Sequence, residues 1–190
     1  MEDYTDDIRR ACDTMKKGGI ILYPTDTVWG IGCDATNSDA VKKIFALKQR
    51  SDSKSMITLV GDMAALDRVA GNVPEAAEQL IEVSDRPVTI VYDHGYGVAS
   101  ELLASDGSIG VRVTNERFSN MLCKVMRRPI VSTSANISGA PTPSTFSEIS
   151  PEIINGVDYV CASRRHEDKP SRPSLVIKIS ENGVFKILRG

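Results

Sequence analysis

Two stretches of this chain hold residue types that could bind and activate a polyanion. In the first, GGIILYPTDTVWGIGCDATNSDAVKKIFALKQRSDSK at residues 18–54, a Thr25-Asp26-Thr27 turn follows an apolar run, Ile20, Ile21, Leu22 and Tyr23, that Pro24 stops. Hydroxyls and free backbone N–H groups would sit there at the rim of a sheet. Lys48, Arg50 and Lys54 come just past a helix predicted over 38–47, which Asn37, Ser38 and Asp39 start and which carries Val41, Ile44 and Phe45 as an apolar stripe. Cations in that position also suit an ordinary solvated helix end, where they oppose the negative pole of the helix dipole. The second stretch, PIVSTSANISGAPTPS at 129–144, again runs a short apolar strand into a polar loop. Turn chemistry accounts for Gly139, Pro141 and Pro143. It does not account for Ser132-Thr133-Ser134-Ala135-Asn136, a row of short donors and acceptors that suits a ligand with phosphate or carboxylate oxygens.

YPTDTVWGIGCDA, the IFALKQR…K run, IGVRV, STSANISG…P-S, RPSLVI and the closing ILRG follow one another in order over nearly the whole chain. On these motifs the chain resembles the YrdC-like family of threonylcarbamoyl-AMP synthases. The resemblance implies a nucleotidyltransferase that converts L-threonine, bicarbonate and ATP to threonylcarbamoyl-AMP and pyrophosphate. It also implies a partner, a tRNA threonylcarbamoyl-transferase complex, which moves the group to the adenosine beside the anticodon of tRNAs that read codons beginning with A. By the same resemblance Thr27 and Ser174 help hold threonine and Arg112 pairs with its carboxylate. Ser108, Ser132, Ser134, Asn136, Ser144 and Arg189 serve the ATP or the join between the two ligands.

That chemistry needs no covalent intermediate. It needs close positioning of polar reactants, with fixed positive charge where the leaving group develops. Arg50 and Lys54 are assigned to the phosphates, with Lys48 beside them, because arginine forks two oxygens while lysine acts as a point charge. Arg112, taken as a lone strand arginine, has the plainer reading of an outward salt-bridge residue. The chain departs from the family pattern at Ser51 and Ser55, where prolines are common, at Leu59, where some members have histidine, at Leu175, where threonine is usual, and at Trp29, where tyrosine is usual. Mg²⁺ is expected with the nucleotide, and no protein metal site is readable.

Other devices are missing from the sequence. No G-x-x-x-x-G-K-[ST] loop occurs, and Gly30-Ile31-Gly32 lacks the third glycine of a dinucleotide fingerprint. Cys12, Cys33, Cys123 and Cys161 form no C-x-x-C pair, so they read as reduced core residues of a cytoplasmic protein. No leader or membrane-spanning apolar run is visible. A net charge of -2 and 5% aromatic residues disfavour bulk electrostatic or base-stacking capture of single-stranded nucleic acid. Two rivals remain: a non-catalytic module that binds tRNA or double-stranded RNA, and a carbamoyl-adenylate-forming domain with another acceptor.

The elements that must position these residues read as one domain over 1–190, since 190 residues with 41% hydrophobic content build one sizeable core. Helices are predicted from Tyr4 to a stop at Gly18-Gly19, over 38–47, 63–69, 74–83 and, capped by Asn115, up to Met126. Strands are predicted over 20–23, 56–60, 88–92, 108–113, 157–161, 175–179 and 184–188, the last two joined by an Asn182-Gly183 hairpin. The mixture implies an α+β fold, and the resemblance implies a three-layer, twisted mixed parallel and antiparallel sheet with helices on its faces and an open central cavity. The polar connection 162–174, ASRRHEDKPSRPS, is expected on the surface, either as a solvated loop or as a lid over the ligands.

Overall fold

The computed structural model describes residues 3–49, 56–167 and 173–189. Helix α1 (Thr5–Lys16) turns Ile8, Ala11, Cys12 and Met15 inward, with Asp6 and Asp7 in its first turn and Lys16 in its last, as the dipole favours. Strands β1 (Ile21–Tyr23) and β2 (Gly30–Gly32) flank the Thr25-Asp26-Thr27 turn. Helix α2 (Ser38–Leu47) starts where the Asn37 side chain accepts from the Ala40 N–H. Then come β3 (Ile57–Val60), α3 (Met63–Ala70), α4 (Glu75–Val83), β4 (Val88–Tyr92) and β5 (Ile109–Val113). Helix α5 (Arg117–Met126), β6 (Ile130–Ser134), the short α6 (Pro151–Gly156), β7 (Tyr159–Val160), β8 (Leu175–Ile179) and β9 (Phe185–Arg189) complete the chain.

The nine strands form one sheet in the order β7-β1-β2-β6-β3-β5-β4-β8-β9. β1/β7, β3/β5 and β4/β8 pair in parallel and the other neighbours antiparallel, which is the mixed sheet expected. Leu66, Val69 and Ala77 of α3 and α4 bury Val60, Val111, Ile90 and Ile177 on one face. α1 and α5 pack on each other over the opposite face, where Gly61 permits close approach: a Cβ there would lie 3.1 Å from Cys123. Among the described residues, no helix is long and apolar enough to cross a membrane.

Several expectations are corrected. The α5 cap is Glu116, not Asn115, because its carboxylate accepts from the N–H groups of both Phe118 and Ser119. Ser132, Thr133 and Ser134 lie within β6 rather than in a loop, since the ladder to β2 and β3 runs through them. Glycine-rich β2 and the six-residue α6 were not anticipated. β9 is a strand at one end of the sheet order, and every residue of it is exposed.

Candidate functional site

Side chains alternate between the two faces of a strand, so the pairings Leu59↔Arg112, Ile57↔Ser132 and Gly30↔Ser134 put Arg112, Ser132 and Ser134 on one face. Thr89 of β4 stands beside Arg112 there and accepts from its Nε at 3.1 Å. From β1, Pro24 ends the strand and the turn folds on itself: the Thr25 hydroxyl accepts from the Thr27 N–H at 3.1 Å and donates to the Val28 carbonyl at 2.6 Å. This brings Asp26 and Thr27 to the arginine. An Nη of Arg112 donates to Asp26 Oδ1 at 2.6 Å and to Thr27 Oγ1 at 3.3 Å.

The network continues through the start of β8. Thr89 Oγ1 and Ser174 Oγ are 3.2 Å apart, and Arg189 of β9 donates to Ser174 Oγ at 3.0 Å and to its carbonyl at 3.2 Å. Thr27, Arg112, Ser174 and Arg189, drawn from four distant stretches, therefore meet in one constellation. The Arg112 and Asp26 side chains are only 5% and 10% exposed, so the plainer reading of Arg112 as an outward surface residue does not hold. Partial burial, and next the neighbouring Arg112 charge, pull the Arg189 guanidinium below its ordinary pKa. Two guanidiniums facing one carboxylate leave the site net positive, a setting for an anion.

Ser134 and Asn136 sit beside this face and are held from behind. The Lys48 ammonium donates to the Ser134 carbonyl at 2.5 Å and the Asn136 carbonyl at 2.6 Å, while the Lys48 carbonyl accepts from the Ser138 N–H at 3.0 Å. Lys48, expected beside the phosphates, is instead 1% exposed and pins this loop, because a buried ammonium must find such acceptors. The Asn136 amide N–H₂ group donates to the carbonyls of Ile137 and Ala140, and its Oδ1 is buried with no partner among the described residues. Gly30 leaves room over Ser132, since a Cβ there would stand 3.1 Å from Thr25 Cγ2 and 3.4 Å from Ser132 Oγ.

Not every expected residue joins the constellation. Ser108 lies four residues before Arg112, about 13 Å along the strand, and its hydroxyl donates to Asp106 at 2.6 Å. That bond, followed by the Ser108 N–H, holds the Asp106 carboxyl down to about 2. Ser144 is exposed, with its N–H on Glu148 Oε2 at 2.6 Å. Arg50 and Lys54 lie outside the described residues, as do residues 168–172 of the polar connection. The first part of that connection is docked. Asp7 accepts from Tyr159 Oη and from the N–H groups of Ala162 and Ser163. Arg164, at φ 61°, donates to the Thr25 carbonyl at 3.2 Å and pairs with Glu116 and Glu167.

Asp26, Thr89 and Arg164 were missed as site residues. Thr89 left one signal, a hydroxyl inside the otherwise apolar run VTIVY. Asp26 was visible in its turn, but a charge partner 86 residues away was not.

The family model described as Telomere recombination, Sua5_yciO_yrdC, matches residues 13–190. The chain belongs to this family. It is 31% identical over 183 residues to the threonylcarbamoyl-AMP synthase of Idiomarina loihiensis, covering 95% of this chain and 97% of that one. The crystal structure of P. abyssi Sua5 complexed with L-threonine superposes with a TM-score of 0.79 at 27% identity, over 90% of this chain. This chain spans only 50% of that Sua5. The E. coli YciO structure superposes with a TM-score of 0.81 at 25% identity, covering 96% of this chain and 87% of that one. The Arg112 constellation thus belongs to a fold and family in which a relative is seen with threonine bound.

Proposed function

We propose that this protein is an L-threonylcarbamoyladenylate synthase, a nucleotidyltransferase that joins L-threonine, bicarbonate and ATP into threonylcarbamoyl-AMP and pyrophosphate. The observation that carries the reading is the convergence of Thr27, Arg112 and Ser174, the residues assigned to threonine, on one buried network. The names of the relatives and the threonine complex of Sua5 point the same way.

In this reading Arg112 meets the threonine carboxylate, and Thr89 and Asp26 hold its guanidinium in place from two sides. Thr27 and Ser174 supply hydroxyls for the rest of the amino acid. The threonine amine forms a bond to the bicarbonate carbon with loss of water. A carbamate oxygen then attacks the α-phosphorus of ATP, and the bond to the bridging oxygen breaks as pyrophosphate leaves. Arg50 and Lys54 take the charge that develops on the leaving group. Ser132, Ser134, Asn136 and Arg189 bind nucleotide, with Lys48 as the residue that holds the Ser134 to Asn136 backbone for them. The described residues offer no group of three or more His, Cys, Asp or Glu side chains for a metal. Mg²⁺ would accompany the nucleotide and offset the charge of its phosphates. The product is a mixed anhydride for a tRNA threonylcarbamoyl-transferase complex, and the proposed place of action is the cytoplasm.

The test is pyrophosphate release by the purified protein. Release that requires ATP, L-threonine and bicarbonate together is the expected result. Equal release with serine, or without bicarbonate, would overturn the reading, and binding of duplex RNA with no turnover would favour the non-catalytic alternative.

A further inference from the structure

A separate cavity of about 620 Å³ opens past the end of β3, between α3 and α5. Val60, Val69 and Cys123 give it an apolar floor, and Arg68, Lys124, Arg127 and Arg128 stand around it. Arg128 is paired with Asp34 at 2.7 Å. The side chains of Arg68, Lys124 and Arg127 have no ion-pair or hydrogen-bond partner among the described residues. Asp62, the carboxylate in the lining, has its Oδ1 on the Ala65 N–H at 2.8 Å as the cap of α3. Uncompensated cations around a hollow with apolar walls focus a positive potential into it.

Two local features shape the rim and wall of the cavity. Arg127 ends α5 in the left-handed region, at φ 56° and ψ 20°. Helix ends of this form normally carry glycine or asparagine, because a larger side chain adds strain there. Arg127 also lines the cavity, so this helix end carries a guanidinium on the rim. Tyr96 forms a wall. Its N–H donates to the Val69 carbonyl at 2.8 Å, and its ring lies over Gly71, where a Cβ would come within 2.7 Å of the ring. Tyr96 as a whole is still 52% exposed.

We propose that this cavity is a second binding site, distinct from the Arg112 constellation, for a phosphorylated ligand of the nucleotide class. The phosphate sits among Arg68, Lys124 and Arg127, where the arginines fork its oxygens. The flat base lies against Tyr96 and the apolar floor. The volume falls in the range of small-molecule sites.

The experiment is an amide ¹H–¹⁵N titration of the full chain with AMP at low salt, with inorganic phosphate as the second probe. Saturable shifts are expected at Tyr96, Gly97, Lys124 and Arg127, weakening as salt is added. AMP should bind more tightly than phosphate. Arg127→Gly relieves the left-handed strain and so keeps the fold, yet it should weaken AMP binding at the cavity by about tenfold or more. Shifts at Ser132 to Asn136 should be unchanged by it. The absence of saturable shifts at the cavity, equal affinity for AMP and phosphate, or an Arg127→Gly variant with undiminished affinity would each overturn the proposal, as would saturation by an RNA oligonucleotide alone.

Discussion

Lys48→Met removes an ammonium while keeping a stem of similar length, and it separates two roles for this residue. The ammonium is buried and its bonds to the Ser134 and Asn136 carbonyls span 86 and 88 residues of sequence. A hydrogen bond with a charged partner contributes about 1.5–3 kcal/mol, and each carbonyl left unsatisfied in a buried place costs about 1–3 kcal/mol. Removing a buried ammonium also relieves a desolvation penalty of several kcal/mol, which offsets much of this. The net loss is about 2–4 kcal/mol. In a domain of this size each kcal/mol moves Tm by about 2–4 °C, so the midpoint should drop by roughly 5–15 °C. Turnover should fall with it, since Ser134 and Asn136 lose their support. The assay is thermal unfolding followed by circular dichroism, run beside pyrophosphate release. A variant that melts with the wild type but has lost turnover would refute the loop-holding argument and return Lys48 to the phosphates.

Arg50→Ala or Lys54→Ala should lower pyrophosphate release by about 10²–10³, the scale of losing one preorganised electrostatic donor; a normal rate would remove both from the mechanism. Asp26→Ala leaves the Arg112 guanidinium buried without its carboxylate, which should cost about 3 kcal/mol in urea unfolding and raise KM for threonine more than it lowers kcat. An unchanged KM would show that Asp26 does not position Arg112. Burial opposes the charged form of Asp7, but bonds from Ser163, Tyr159 and Ala162 outweigh it and leave its pKa below the ordinary value. Its contribution is therefore present above the unfolded carboxylate pKa of about 3.9 and lost as pH falls through the folded value. Asp7→Asn should accordingly lower the urea midpoint at neutral pH and lose that effect in strong acid; an equal deficit at both pH values would assign the loss to packing.

What the sequence by itself determined is local. Ile8, Ala11, Cys12 and Met15 at helical spacing specify α1, and Asn182-Gly183 specifies the last hairpin, where Gly183 has φ 78°. The order of motifs determined the family and which side chains to suspect. Tertiary structure decided which way each of them points. Serines in PIVSTSAN look like a loop to any local reading, yet pairing with β2 and β3 makes them a strand with Ser132 and Ser134 on the Arg112 face. Lys48 looks like a solvated helix end until carbonyls far along the chain arrive to receive its ammonium. Thr89 is one hydroxyl in an apolar run until Arg112 and Ser174 stand beside it. Helix periods and turn residues act between neighbours in sequence and can be read directly. The charge and hydrogen-bond partners that make this site are brought together only by the order and register of the sheet, which no short stretch of the chain encodes.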